Sequence, residues 1–244
     1  MLVQLKDKLR KHEKQYSLLY TTYHTIRCAG KNPLQSDLNK IMRKIEHRIF
    51  VQIGSNDGIR DDPLHDALIK NRNWSGIFVE PMPKYFEKLQ KNYGYSRKYQ
   101  YANHAIGSCN EQRSLYYVSE NARRLGDQLP DWYDLISSFE REHLVKHANG
   151  ILEPFIEDVM VDVITLDTLK TKFGIKKFDL IVIDAEGHDW DIFCQIDFSE
   201  HKPKIIILEH KHIADRKIAR IKESLDQQGY VYSTYGANIM ATLK

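Results

Sequence analysis

The sequence predicts an α/β fold: a doubly wound, mostly parallel sheet of Rossmann-like type that closes with an antiparallel strand, behind a helical N-terminal extension. Three observations lead there. Short apolar runs rich in β-branched and aromatic residues, at 49–53, 76–79, 178–183 and 203–208, alternate with longer amphipathic stretches, the pattern of strands buried on both faces and joined by helices. The runs end abruptly in glycine or in polar side chains, where an open α/β sheet has its ligand crevice. The chain then finishes in two hairpin-like runs, 230–234 and 237–242, which set an antiparallel strand on a parallel sheet.

At 244 residues the chain suits one large domain with an appendage and can bury a full core. A hydrophobic content of 42% and a charged content of 28% are those of a soluble globular protein. There is no apolar run of the ~18 residues a membrane span needs, and residues 1–14 are charged throughout, unlike a signal peptide. Cys28, Cys109 and Cys194 are far apart and form no CxxC pair, which argues against a disulfide framework or a zinc site and for the reducing cytoplasm. The net charge of +3 is uneven: residues 1–48 carry 11 Lys or Arg against 4 Asp or Glu, so +7, which leaves −4 for the rest. A basic arm of this kind is read as a solvated face, and no nucleic-acid partner is expected.

In chain order, apolar residues three or four apart (Leu2, Leu5, Leu9, Tyr16, Leu19, Tyr20, Tyr23) predict a helix over 2–28. Its stripe packs on the body of the protein or on a second subunit, which leaves a homodimer through this helix open. Gly30-Lys31-Asn32-Pro33 breaks it, and a short helix at 35–47 leads into the strand at 49–53. We take 1–47 as the extension and 48–244 as the domain. After the turn 54–58, Asp61-Asp62-Pro63 starts a helix to about residue 71. A strand at 76–79, a helix to Tyr93 and a strand at 99–102 follow. Residues 113–119 alternate like an edge strand, and the polar stretch 119–150 reads as an insertion on the acceptor side of the crevice, with Trp132 and Tyr133 as ring-stacking candidates. The alternation resumes with a strand at 159–165, a helix from 166, the strand 178–183, a helix to about 196, the strand 203–208 and a helix at 213–228.

The candidate site residues stand where strands end: Gly54-Ser55-Asn56-Asp57-Gly58, Glu80-Pro81, Asn103 with Ala105, Asp184-Ala185-Glu186, and Glu209-His210. Glu80 lies 26 residues beyond Gly54 and suits the ribose hydroxyls of an adenosine, in NAD or S-adenosylmethionine alike. The turn separates these two. A dinucleotide site wants three glycines so that a pyrophosphate can sit on a helix N-terminus. Here Asn56 replaces the second glycine, and Asp57, Asp61 and Asp62 would repel a pyrophosphate but suit an ammonium and a sulfonium. Asp184 follows the apolar run Leu180-Ile181-Val182-Ile183 and belongs at the strand mouth, since an unpaired buried charge is costly. His188, His210 and His212 are candidate bases. Asp184, Glu209 and His210 together form a candidate set for a divalent cation such as Mg2+.

Six motifs carry a family resemblance: VQIGSNDG (51–58), FVEP (78–81), NHAIG (103–107), VITLDTL (163–169), FDLIVIDAEGHD (178–189) and PKIIILEH (203–210). In this order they resemble the FkbM family of S-adenosylmethionine-dependent methyltransferases, over about residues 48–234. The resemblance implies a class I methyltransferase fold with seven strands, the last antiparallel, and O-methylation of a hydroxyl, commonly on a sugar of a polysaccharide, glycolipid or antibiotic. It implies that Gly54, Asn56, Asp57 and Gly58 line the methionine part of the donor, that Glu80 holds the ribose, that Asn103 and Ala105 lie near the adenine, and that Asp184 faces the reacting centre. Two positions depart from the family: His188 stands where an aromatic follows the EG pair, and Gln52 where many class I enzymes carry an acid. The expected activity is methyl transfer with Asp184 or His210 taking the proton and Glu209 orienting. A nicotinamide-dependent oxidoreductase and a non-catalytic carbohydrate-binding module are the alternatives.

Overall fold

The computed structural model describes residues 33–94 and 96–244. The expected helix at 2–28, and with it the dimer contact, lies outside the described residues. A seven-stranded sheet forms the centre. Its strands are β1 (Ile49–Ile53), β2 (Ser75–Val79), β3 (Tyr99–Ala102), β8 (Leu180–Ile183), β9 (Ile205–Glu209), β10 (Tyr230–Tyr235) and β11 (Asn238–Leu243), in the order β10-β11-β9-β8-β1-β2-β3. β11 runs antiparallel to β9 and β10, and the other pairs are parallel.

Successive side chains of a strand point to opposite faces, and here both faces are covered. Phe50, Phe78, Leu180, Val182, Ile205 and Ile207 pack on one side with Leu34, Leu38 and Met42 of α1 (Pro33–Met42), Leu68 of α2 (His65–Lys70) and Leu89 of α3 (Pro83–Tyr93). Val51, Ile53, Ile77, Val79, Ile181, Ile183, Ile206 and Leu208 pack on the other, under helices α5 (Leu166–Phe173), α6 (Asp189–Phe193) and α7 (Asp215–Gln227). Double coverage is why the strands read as unbroken apolar runs. α1 starts fifteen residues before position 48, and its buried face is part of the core.

The stretch between β3 and α5 builds a second sheet, which corrects the sequence reading. Residues 111–118 form β5 (Glu111–Val118), an inner strand, antiparallel to β7 (Ile156–Ile164) over eight pairs and flanked on its other side by β6 (Ser137–Ser138). β7, read as part of the main alternation, pairs instead with β5 and with β4 (Ala105–Ile106). Period-two alternation only says that one face is wet, so it cannot tell an edge strand from an inner strand of a second sheet. The 119–150 insertion is also more ordered than its polarity suggests. It carries a 3-10 segment (Glu120–Gln128) and α4 (Arg141–Lys146), and Val118, Ala122, Tyr133, Ile136, Leu144 and Leu152 form a small core of their own. Among the described residues no helix is long and apolar enough to cross a membrane.

Parallel register sets up the site. Ile53 pairs with Val79 and Ile183, Val79 with Ala102, and Ile183 with Leu208. The next residue of each strand, Gly54, Glu80, Asn103, Asp184 and Glu209, therefore reaches the same edge of the sheet.

Candidate active site

A cleft of about 430 Å3 opens along this edge, roofed by the 119–150 segment. On one side it is made of backbone. Gly54 has φ +75°, and a Cβ there would stand 1.6 Å from the carbonyl oxygen of Asp184, so only glycine lets the turn abut the end of β8. The amides of Gly54 and Ser55 donate to the carbonyl of Val79 at 3.0 and 3.1 Å, and the Ser55 hydroxyl donates to Gln52 O at 3.1 Å. Asn56, at φ +46°, donates its amide to Glu80 Oε2 at 2.7 Å, while Met82 N donates to Oε1 at 2.9 Å. Burial pushes the Glu80 carboxyl up to about 7 against the pull of these two amides. Asn103 is tied into the same web: its amide group donates to the carbonyls of Glu80 and Pro81 at 2.8 and 2.9 Å, and it does not line the cleft.

The acids of the turn divide. Asp57 faces away from the cleft, where its carboxylate accepts from the amides of Ile59 and Arg60 and from Arg60 Nε at 2.9 Å. Arg60 then makes a fork onto both oxygens of Asp134, 3.0 Å each. Asn56 Nδ2 donates to Leu135 O at 3.2 Å, so the roof is fastened to the glycine turn at two points. Gly58 packs on α3, where a Cβ would stand 2.6 Å from Leu89 and Tyr93, and is likewise off the cleft. Asp61 and Asp62 do line it. Asp62 accepts from Gln52 Nε2 at 3.0 Å and is raised to about 7 by burial, despite that bond and those from the amides of Leu64 and His65. The acid missing at position 52 is thus supplied ten residues later, on the side chain that Gln52 holds.

The opposite wall is made of side chains. Asp184, Ala185, Glu186, His188, Glu209, Lys211 and His212 line it. Asp189, fully buried, accepts from the amides of Ala185 and Gly187 at 3.0 Å each and fixes the loop in which Glu186 takes φ +46°. Burial, and next Glu209 and Glu186, raise the Asp184 carboxyl well above the usual range; burial and then Glu186 push Glu209 up to about 7. Like charges gathered in a half-closed site resist ionising together.

His210 does not join Asp184 and Glu209. It is turned out of the cleft, with Nε2 3.2 Å from Gly236 O. Residues of a strand alternate sides, so with Glu209 facing in, the next side chain faces away; His212 comes back, with Nε2 3.5 Å from Glu186 Oε2. The roof adds two histidines that the sequence reading missed. His143 Nε2 lies 3.4 Å from Glu186 Oε2, and His147 Nε2 lies 3.3 Å from His143 Nε2. Their i, i+4 spacing in HLVKH was the available signal, since such residues share one helix face. Of the two candidate stacking rings, Trp132 lines the cleft and is 38% exposed, whereas Tyr133 is buried in the core of the roof.

The methyltransferase FkbM domain matches residues 52–232, about three quarters of the chain. The chain belongs to the FkbM methyltransferase family. It is therefore an S-adenosylmethionine-dependent methyltransferase, and the nicotinamide and non-catalytic readings are set aside. No curated protein matches the sequence. Among solved structures, the chain is similar to a putative caffeoyl-CoA O-methyltransferase from Staphylococcus aureus (11% identity, 99% of this chain and 97% of that one, TM-score 0.47). It is also similar to a precorrin-6y C5,15-methyltransferase from Geobacter metallireducens (11% identity, 88% and 89%, TM-score 0.42). The FkbM chain itself has the class I strand order, with its reversed last strand.

Proposed function

We propose that the protein moves the methyl group of S-adenosylmethionine onto a hydroxyl of a carbohydrate. The observation that carries this reading is the row of strand-end groups Gly54, Glu80, Asp184 and Glu209, brought to one cleft edge by the sheet register. The residues present fit the donor. Gly54 leaves backbone open to close approach, each Glu80 oxygen keeps a lone pair for a ribose hydroxyl beside the amide it accepts, and Ala105 and Ile106 offer an apolar wall for adenine. Asp62 and Asp184 supply the negative surroundings that an ammonium and a sulfonium need. Ser55, Asn56, Pro81 and Ala185 complete the donor side, and Glu186, against His143 and His212, stands at the acceptor end; Asp57, Gly58 and Asn103 act one step back, holding the turn and Glu80 in place.

The donor supplies an already activated methyl group. The protein's part is then to align the acceptor and remove one proton. We assign that proton to Asp184, with Glu209 orienting the acceptor. A cation next to Asp184 lowers its raised carboxyl back toward the range in which it can act. His210, outside the cleft, has no part in this assignment. Trp132 at the rim offers a face for a sugar ring, and Ser137, Ser138 and Lys211 offer polar partners.

The test is a thermal melt with S-adenosylhomocysteine, followed by transfer of labelled methyl to a panel of sugars. At a hundred times its dissociation constant a ligand adds about 2.7 kcal/mol, or roughly 5–10 °C at this length. No shift, or a shift with labelling only of non-carbohydrate acceptors, would reject the donor or the acceptor part respectively.

A further inference from the structure

We infer that His143, His147, His212 and Glu186 hold one divalent transition-metal ion, with Glu209 as a further oxygen ligand, at the acceptor end of the cleft. The three imidazoles each offer a nitrogen, and these atoms lie within 4.8 Å of one another; so do ligand atoms of Glu186, Glu209 and His212. The individual separations are 3.3 Å for His147 to His143, 3.4 Å for His143 to Glu186 and 3.5 Å for His212 to Glu186. Ligands bound at 2.0–2.1 Å in a tetrahedral set stand about 3.3 Å apart, close to these three separations, and the remaining ones within each trio, up to 4.8 Å, would close by side-chain rotation.

The cluster is assembled by the fold rather than by one local turn. His143 and His147 come from the roof, Glu186 from the loop after β8, and Glu209 and His212 from the end of β9. The side chains of His143, Glu186 and His212 are only 18%, 21% and 17% exposed. Glu209 Oε2 is inaccessible and has no hydrogen-bond partner, an acceptor left open beside the cluster. Hydrogen bonds among the histidines and Glu186 account for part of this packing, but they leave that oxygen without a partner.

The donor set also fixes the class of ion. Magnesium and calcium take oxygen ligands; imidazole with one or two carboxylates suits zinc, cobalt, nickel, iron(II) or manganese. This differs from the Asp184–Glu209–His210 magnesium set expected from sequence and leaves Asp184 free. The ion would join the roof to the sheet edge. On the carbohydrate reading above, which this part of the inference deepens, an acceptor hydroxyl bound to it would give up its proton to Asp184 more readily.

The experiment uses the full chain, stripped with a chelator, dialysed and titrated with cobalt(II). One equivalent should bring up the visible bands of bound cobalt, zinc should displace it and magnesium should not. The double change His143→Gln/His147→Gln should weaken cobalt binding by more than the roughly 10–100-fold that loss of a supporting residue costs, while its melt still rises with S-adenosylhomocysteine. Absence of the bands, or equal cobalt binding by the double variant, overturns the site. Cobalt binding without any response to S-adenosylhomocysteine upholds the metal site and rejects the donor reading, and the reverse result does the opposite.

Discussion

The two walls of the cleft are built by different means. The wall under the glycine turn is backbone and buried carboxyls locked by amides: Gly54 pressed on Asp184 O, Glu80 gripped by Asn56 and Met82, Asp62 held by Gln52. The wall under the roof is side chains brought in from separate elements, Glu186, His147 and His212 together with Trp132, with His143 set against Glu186. A backbone wall admits one shape and resists substitution. A side-chain wall can change without disturbing the sheet. A common donor at the first and a varied acceptor at the second would use this difference.

The largest effect should come from Gly54→Ala. The 1.6 Å approach and the positive φ leave no room for relief, and a loss of about 3 kcal/mol or more in denaturant-induced unfolding is expected. A loss below about 1 kcal/mol would mean that the turn yields and that the contrast between the walls is wrong. Next, Asp184→Asn should lower turnover about 10²–10⁴-fold while S-adenosylhomocysteine still raises the melt; near-normal turnover would remove Asp184 as the proton acceptor. Arg60→Met should cost about 2 kcal/mol, below the roughly 3–5 kcal/mol of a fully buried pair, because Asp57 and Asp134 are left facing each other with a little water access. It should also raise KM for the acceptor more than it lowers kcat, if the roof is what loosens.

The smallest effect is a pH dependence of stability, to which the backbone wall contributes through Glu80 and Asp62. Glu80 and Asp62 are raised to about 7 in the folded protein, above their unfolded values near 4. The folded state therefore binds more protons in that interval. Their contribution to stability is full below about pH 4, declines as the pH rises toward 7 and is constant beyond. Melts from pH 4 to 8 for the parent protein and for Glu80→Gln should converge at the acidic end and separate toward neutrality. Parallel curves would show that Glu80 is already ionised in the fold.

The strand-end residues of both walls were the more legible from sequence. Gly54, Glu80, Asp184 and Glu209 each close an apolar run, and a parallel sheet delivers such residues to one edge whatever the loops do. Asp57, Gly58 and Asn103 carry the same signal but serve the inside of the turn, since which residue of a tight turn faces out depends on its dihedral angles. Sequence reasoning chose His210 over His212 by adjacency to Glu209, although the alternation of a strand sends the neighbour to the other side. His143 meets Glu186 across some forty residues, and no local pattern carries that distance. The second sheet stayed hidden because β5 and β7 share their period with any strand that has one wet face.

The fork from Arg60 to Asp134, with the bond from Asn56 to Leu135, makes the floor and the roof of the cleft share one mechanical joint. Two ligands resting on either side of such a joint are thermodynamically linked, and linkage has no direction: whatever factor the first occupant adds to the affinity of the second, the second returns to the first.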